Sequence, residues 1–436
     1  MSGSPAAAAP LKIAVAGLGT VGAGVLKLLA ENGELLAQRC GRAISVTGVS
    51  ARERSRDRGI TVGQAKWFDD AVALANEADA DIIVELIGGS DGVAKRVCEA
   101  AIARGRHVVT ANKALLAVHG AALARLAEAK GVSLCYEAAV AGGIPVIKAL
   151  REGLAANRIT RVYGILNGTC NYILTQMRRT GRPFADVLAD AQKLGYAEAD
   201  PSFDIDGVDA AHKLAILAGL AFGAAVNFAG VHIEGIRHVS PLDLDFAKEL
   251  GYRVKLLGIA RMTEHGLEQR VHPCMVPVET PIAAVEDVFN AVVAEGNFVG
   301  RTVFEGRGAG AGPTASAVVA DLVDLARNRR TPTFGVPVAA LALPPVSPME
   351  RRVGSYYIRL MVVDRPGVIA DVTAALRDES VSLEAMLQRG RSPNEMVPVV
   401  LTTHDTEEAA MNRALQRIVA LKTVLEPPRA IRIEKL

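Results

Sequence analysis

A glycine-spaced turn set between an apolar run and an amphipathic stretch constrains this chain more than any other feature. Residues 11–16 read as a buried strand, and residues 21–30 carry apolar side chains at helical spacing. Between them stands Gly17-Leu18-Gly19-Thr20-Val21-Gly22, a G-x-G-x-x-G run. Each glycine has its own task in such a turn. Gly17 permits the tight reversal, Gly19 lets the backbone approach a pyrophosphate, and Gly22 lets the helix lie close on the sheet, while the helix's free N–H groups face phosphate charge. The bland alternative is a plain strand–helix turn. The sequence beyond it argues otherwise: strand-like runs at 44–49, 81–87, 107–110 and 133–136 alternate with helix-like runs at 93–104 and 120–130. Alternation of this kind builds βαβ units and a parallel sheet. Residues 11–136 are therefore expected to form a Rossmann-type NAD(P)-binding domain. Residues 1–10, small and Pro/Ala-rich with no basic stretch, read as a disordered lead and not as a signal peptide.

The end of the second strand indicates which dinucleotide. A ribose 2′-hydroxyl calls for a carboxylate there, and a 2′-phosphate calls for arginine. Ser50 and Arg52 occupy the expected position, with Arg54, Arg56 and Arg58 behind them, which favours NADP; Glu53 leaves NAD possible.

Composition closes off other classes. With 49 Lys+Arg against 47 Asp+Glu among 436 residues and 4% aromatics, the chain lacks the basic field and stacking platforms of a nucleic-acid binder. Cys40, Cys98, Cys135, Cys170 and Cys274 are scattered, without C-x-x-C spacing, so neither a disulfide framework nor a structural zinc site is expected, and a reducing cytoplasm fits. Residues 214–233 contain no Lys, Arg, Asp or Glu, yet they are Ala- and Gly-rich and include Asn227 and His232. A buried helix and its turn is the expected form, not a membrane span.

The remainder divides by pattern. Residues 137–307 mix strand-like runs (159–166, 255–262, 268–278, 300–304) with helices (170–178, 184–193, 206–222), the signature of a mixed α/β substrate-binding, catalytic and dimerisation domain. A Gly-rich run at 308–312 leads into a helix over 314–328 expected to pack back on the first domain, so that 308–330 completes it. Prolines 332, 337, 344, 345 and 348 make 331–352 a linker. Residues 353–436 read strand, helix, strand, strand, helix, strand, a ferredoxin-like βαββαβ module.

The most specific chemical signal lies between residues 191 and 213: Ala191, Gly195-Tyr196-Ala197-Glu198, Asp200-Pro201, Asp204, Gly207, Asp209 and Lys213. Asp206, Asp209 and Lys213 at i, i+3 and i+7 would share one helix face. As an ordinary surface pair, Asp209 and Lys213 would contribute only about 0.3–0.5 kcal/mol. After a dinucleotide fold, however, clustered carboxylates can hold a substrate ammonium and a lysine can deliver a proton.

On this run, and on Thr110-Ala111-Asn112-Lys113-Ala114, the segment 136–145 and Asn167-Gly168-Thr169-Cys170-Asn171-Tyr172, the chain resembles the homoserine dehydrogenases, of the monofunctional type with a C-terminal ACT domain. The resemblance extends from Leu11 to the C-terminus. It implies reversible, NAD(P)-dependent interconversion of L-homoserine and L-aspartate 4-semialdehyde on the route to threonine, methionine and isoleucine. It further implies Lys213 as proton donor, Lys113 beside cofactor and substrate, and Glu198, Asp204, Asp209 and Gly195 lining the amino-acid site. Gly195 and Gly312 would also face the cofactor, as would Gly17 through Gly22. A monovalent cation, sodium, would be held by Glu137 and the carbonyls of Val140, Gly142 and Ile144. In the last module, Asp364-Arg365-Pro366-Gly367 resembles the ACT effector turn, with L-threonine as expected ligand at Asp364 and Gly367. A homodimer or homotetramer is implied. The alternatives are an NADP-linked dehydrogenase of another amino-acid semialdehyde and a non-catalytic amino-acid sensor.

Overall fold

The computed structural model describes residues 8–389 and 395–436; most of the expected lead, residues 1–7, lies outside them. Six parallel strands form the first sheet: β1 (Leu11–Ala16), β2 (Ile44–Ser50), β3 (Lys66–Phe68), β4 (Ile82–Glu85), β5 (His107–Thr110) and β6 (Leu134–Cys135), in the order β3-β2-β1-β4-β5-β6. This is the doubly wound order in which the strand sequence reverses beside β1, and open sheets of this kind bind ligands at the carboxyl ends of the strands there. The glycine turn sits at that point. Gly17 has φ +104°, and a Cβ on it would lie 2.5 Å from the Leu86 carbonyl oxygen. A Cβ on Gly22 would lie 2.0 Å from the Gly17 oxygen, whereas one on Gly19 would meet nothing within 4 Å. The first and third glycines thus serve packing, and the second faces open space.

The helix Ala311–Ala326 returns to this sheet and packs on the first helix, Thr20–Glu31, so closely that a Cβ on Gly24 would stand 2.7 Å from the Ala311 oxygen. The helix Lys113–Ala129 starts seven residues earlier than its apolar spacing suggests, because Asn112 caps it: the Asn112 Oδ1 accepts the Leu115 N–H at 3.1 Å. Strand β3 and the helices Gly33–Cys40 and Ala71–Glu77 are additional to the expected elements.

The second sheet is mixed and long. Its strands are β7 (Ile159–Ile165), β8 (His232–Ile233), β9 (Tyr252–Thr263), β10 (Gly266–Pro277), β11 (Phe289–Gly296), β12 (Gly300–Arg307), β13 (Val353–Val363), β14 (Leu383–Gln388), β15 (Met396–Thr403), β16 (Thr406–Glu407) and β17 (Arg429–Ile433). They run β12-β11-β7-β9-β10-β17-β13-β15-β14, with β8 on β10 and β16 on β13. The helix Val208–Phe222 is buried from Asp209 through Leu220 and packs on β7 and β9. That burial on every side accounts for the charge-free stretch after Lys213, and no helix among the described residues is long and apolar enough to cross a membrane.

The C-terminal module has the expected βαββαβ order, with helices Val368–Asp378 and Glu408–Val419 over a core of its own. It is not a separate bead. Its strand β17 lies parallel to β10, pairing Cys274 with Arg432 and Met275 with Ile433, so one sheet runs through both units. The proline-rich segment 331–352 is laid along the body: Phe334 is buried against Tyr136 at 5.7 Å, Ala225 N–H donates to the Ala342 oxygen at 2.9 Å, and Leu267 N–H donates to that of Pro345 at 2.9 Å.

A buried charge network closes the seam. Arg270 of β10 donates to Glu434 through both Nη1 (2.7 Å) and Nη2 (3.1 Å), and Arg352 donates to the same carboxylate at 2.8 Å. Burial alone would raise the Glu434 carboxyl, but the two guanidiniums, Arg270 foremost, bring it down to about 2. A depressed carboxyl contributes stability that is complete above its ordinary value of 4.5 and disappears as pH falls through 2. Glu434→Gln, which leaves two buried cations underpaired, is expected to cost about 3–5 kcal/mol at neutral pH. In urea titrations this deficit should shrink as pH falls from 4.5 toward 2; a pH-independent deficit would show that the carboxylate's charge is not what matters.

Candidate active site

Three segments converge where the two sheets meet. Strand β5 ends in Thr110 and delivers Lys113 in the first turn of its helix. Strand β7 ends beside Leu166 and delivers Asn167. Gly207, left-handed at φ +87°, opens the helix that presents Asp209 and Lys213. The Asp209 carboxylate is buried and shared. Its Oδ1 lies 3.0 Å from the Lys113 Nζ, and its Oδ2 accepts from the Lys213 Nζ at 2.7 Å and from the Asn167 Nδ2 at 2.8 Å. The Lys213 Nζ also donates to the Leu166 oxygen at 2.8 Å. Burial works against a charged Asp209, yet the two ammonium groups, Lys213 foremost, hold its carboxyl well below the usual range. Asp204 joins through the same Asn167 amide, at 2.8 Å, and its carboxyl is raised by burial and then by the Asp209 charge. Burial would lower the Lys113 ammonium, but Asp209, then Asp204 and Glu198, raise it.

Glu198 is exposed on a loop that reverses at Gly195, φ +73°, and is tied down by Thr169 donating to the Tyr196 oxygen at 2.7 Å. The structure therefore brings Lys113, Glu198, Asp204, Asp209 and Lys213 to one place. It does not bring Asp206, which the helical spacing puts on the same face: Asp206 precedes the helix and pairs with Arg237, Nη2 to Oδ2 at 2.9 Å. Gly207 breaks the helical register between Asp206 and Asp209.

On the cofactor side, the Ser50 carbonyl accepts the Gly17 N–H at 2.9 Å, and Arg52 stands exposed just beyond. Arg58 ties that basic loop to the glycine turn by donating to the Leu18 oxygen at 3.0 Å. Gly312 lies in the exposed first turn of Ala311–Ala326, where a Cβ would meet nothing within 4 Å. The open ground above Gly19 and Gly312, beside free helix N–H groups, suits a dinucleotide.

Glu137 accepts the N–H groups of Ile147 and Lys148, each at 2.9 Å, and its carboxyl is pushed up to about 7 by burial and then by Asp321. The adjoining turn has two successive left-handed residues, Ala141 at φ +56° and Gly142 at φ +48°. A Cβ on Gly142 would lie 2.3 Å from the Gly308 oxygen, so this turn is wedged against the Gly-rich loop. Val140 and Ile144 are buried within it. In the last module, Gly367 is left-handed at φ +96°, with no atom of the described residues within 4 Å of a Cβ position, and Asp364 N–H donates to the Glu395 oxygen at 2.9 Å.

Some site-shaping residues carry no pattern that singles them out. Glu85, fully buried at the end of β4, accepts from the Thr110 hydroxyl at 2.6 Å and the Ile87 N–H at 2.7 Å, ordering both loops at the sheet's carboxyl edge. A charge closing the apolar run of β4 is the one signal it leaves. His212 lies between Phe203 and Phe228, with ring centroids at 5.5 and 4.2 Å, and burial lowers its pKa.

A doubly wound dinucleotide fold meeting a buried lysine–carboxylate cluster defines a nicotinamide-dependent oxidoreductase. The comparisons with known proteins make this specific. Residues 17–137 match the family model "Homoserine dehydrogenase, NAD binding domain", residues 145–323 match "Homoserine dehydrogenase", and residues 356–422 match "ACT domain". The chain is 47% identical to a homoserine dehydrogenase of Pseudomonas aeruginosa over 98% of its own length and 99% of the relative's, and 45% identical to that of Neisseria gonorrhoeae, again over 98% and 99%. The crystal structure of a homoserine dehydrogenase from Thiobacillus denitrificans matches with a TM-score of 0.92 and 47% identity, covering 98% of both chains. A hyperthermophilic archaeal homoserine dehydrogenase in complex with NADPH matches with a TM-score of 0.63 and 26% identity, over 74% of this chain and 99% of that one. The chain belongs to the homoserine dehydrogenase family and carries an ACT regulatory domain.

Proposed function

We propose that the protein interconverts L-homoserine and L-aspartate 4-semialdehyde, prefers NADP(H) over NAD(H), and moves the reaction's proton on Lys213. The observation carrying this reading is the single buried carboxylate, Asp209, that holds two ammonium groups at the carboxyl edge of a dinucleotide sheet. A bound nicotinamide supplies or accepts the hydride. An ammonium has three N–H donors. Lys213 uses one on Asp209 and one on the Leu166 oxygen, leaving the third for the substrate oxygen, where charge develops. In the reducing direction that N–H becomes the hydroxyl proton; in the oxidising direction the neutral amine takes it back. Lys113, fixed on the other oxygen of Asp209, stands beside substrate and cofactor. Glu198 and Asp204 meet the ammonium of the amino acid, on the loop turned by Gly195.

The NADP preference rests on the exposed guanidinium of Arg52 next to Ser50. A monovalent cation, sodium, belongs to the same proposal at Glu137, Val140, Gly142 and Ile144, because oxygen donors suit a hard cation and the left-handed turn at Ala141 and Gly142 can present backbone carbonyls beside Glu137. L-threonine is the proposed effector at the Asp364–Gly367 turn, where the free N–H groups of the opening helix can take a carboxylate. A homodimer or homotetramer in the cytoplasm completes the proposal.

Purified protein given L-homoserine is expected to reduce NADP faster than NAD, read by the near-ultraviolet absorbance of the reduced cofactor; no reduction of either would sink the proposal. Lys213→Ala should cut kcat by about 10²–10⁴-fold with cofactor affinity nearly intact; near-normal turnover would pass the donor role to Lys113. Arg52→Ala should weaken NADP binding by about 1.5–3 kcal/mol and leave NAD binding nearly unchanged, and equal losses would make Arg52 structural. Gly367→Asp should retain turnover and lose threonine inhibition, since a carboxylate at that turn repels the effector's own. Inhibition unchanged in that variant would place the effector site elsewhere.

A further inference from the structure

Asn290 is 1% exposed, and among the described residues neither its Oδ1 nor its Nδ2 has a hydrogen-bond partner. Buried polar side-chain atoms are nearly always paired, so a carboxamide with both ends unpaired marks a place where a partner belongs. Its surroundings indicate which partner. Alternation along β11 puts Asn290 on the same face as Val292 and Ala294, which pack into the core shared with Leu166 and Leu214. The pairing Ala291↔Ile165 between β11 and β7 brings Asn290, one step further on, alongside Leu166, whose carbonyl holds the Lys213 ammonium. The Asn290 Oδ1 lies 3.3 Å from where a Cβ on Gly168 would be. On its other side is the Gly-rich loop: a Cβ on Gly308 would fall 2.2 Å from both the Asn290 Cγ and Nδ2. The unpaired amide is thus sandwiched between the substrate-side turn and the loop that enters the cofactor-side helix, and only the absence of a side chain at Gly308 makes room for it.

We propose that Asn290 is a cofactor-contacting residue whose side-chain carboxamide pairs with the carboxamide of the bound nicotinamide ring. The inference rests on the NADP(H) reading above. A primary amide offers one acceptor and two donors, and a second primary amide meets both needs at once. Among the described residues the Asn290 amide is covered by Gly308, so seating the ring requires the loop of Gly308, Gly310 and Gly312 to shift. The glycines allow this: Gly310 is already at φ +115°, where side chains are rarely tolerated.

The test is calorimetric binding of three molecules to the parental protein and to Asn290→Leu: NADP, 2′-phospho-ADP-ribose, which lacks the nicotinamide, and the 3-acetylpyridine analogue of NADP, in which a methyl replaces the amide nitrogen. Asn290→Leu should raise the Kd for NADP about tenfold or more and leave that for 2′-phospho-ADP-ribose unchanged. The analogue should bind the parental protein more weakly than NADP does, and this difference should vanish in the variant. Asn290→Asp, which keeps shape and acceptor but loses the donor, should show the same selective loss and serves if the leucine variant does not fold. Equal weakening of NADP and 2′-phospho-ADP-ribose, or an unchanged Kd for NADP, overturns the proposal. A parental protein that prefers NAD overturns the NADP reading alone, because the same comparison with NAD and ADP-ribose still tests Asn290.

Discussion

One carboxylate holds the centre of this molecule together. Asp209 is buried, carries its charge, and is gripped from two directions: by Lys113, delivered from the first sheet, and by Lys213, from the helix over the second. Two folding units with separate sheets therefore share an electrostatic fastening at the point where their surfaces meet. A buried ion of either sign would be costly alone. Here the lysines offset Asp209, Asp209 offsets the lysines, and Asn167 donates to the same Oδ2 that Lys213 holds. The same amide also touches Asp204 and caps the next helix through Cys170, so the charged cluster is registered to the backbone and not merely clustered.

Much of this was legible from residues alone where a local rule and a tertiary need coincide. Gly17 and Gly22 could be assigned their tasks because close approach of backbone to backbone demands glycine, and both positions would clash with a Cβ. The C-terminal module was legible because each of its strands and helices has its own period. Strand β11 escaped because Asn290 through Ala294 are buried on both faces and show no alternation. The misplacement of Asp206 has a similar origin: the helical period continues on paper through Gly207, but that glycine is left-handed and restarts the helix. His212 and Asn290 could not be picked out at all, and Glu85 shows only as a charge closing an apolar run. Their interest lies in what surrounds them, and a sequence does not print neighbours.

The relation of the regulatory module to the catalytic body was likewise hidden by its proline-rich approach. Proline in sequence suggests a break, yet segment 331–352 follows the body's surface and passes into β13 with Arg352 already buried in the seam. Beyond it, Arg432 of β17 donates to Glu234 at 2.8 Å from both terminal nitrogens. Glu234 precedes Gly235, whose missing side chain lets it lie against Ile205 and Asp206, which follow Asp204 of the cluster in the chain. Paired charge, a shared strand and close backbone contact thus run without interruption from the module to the edge of the site.

The parallel pairing of β17 with β10 also bears on how the protein is made. Strand β10 is synthesised well before residues 429–433 exist, and until they emerge its edge at Cys274 and Met275 has no strand beside it and the Arg270 guanidinium, already held by Glu268, lacks Glu434. The middle of the molecule must wait, partly assembled, for a strand of the regulatory module. A nascent chain in that interval presents an open strand edge, the kind of surface that chaperones recognise and that pairs wrongly with other chains. Completion of the substrate-side sheet is thereby tied to synthesis of the regulatory module.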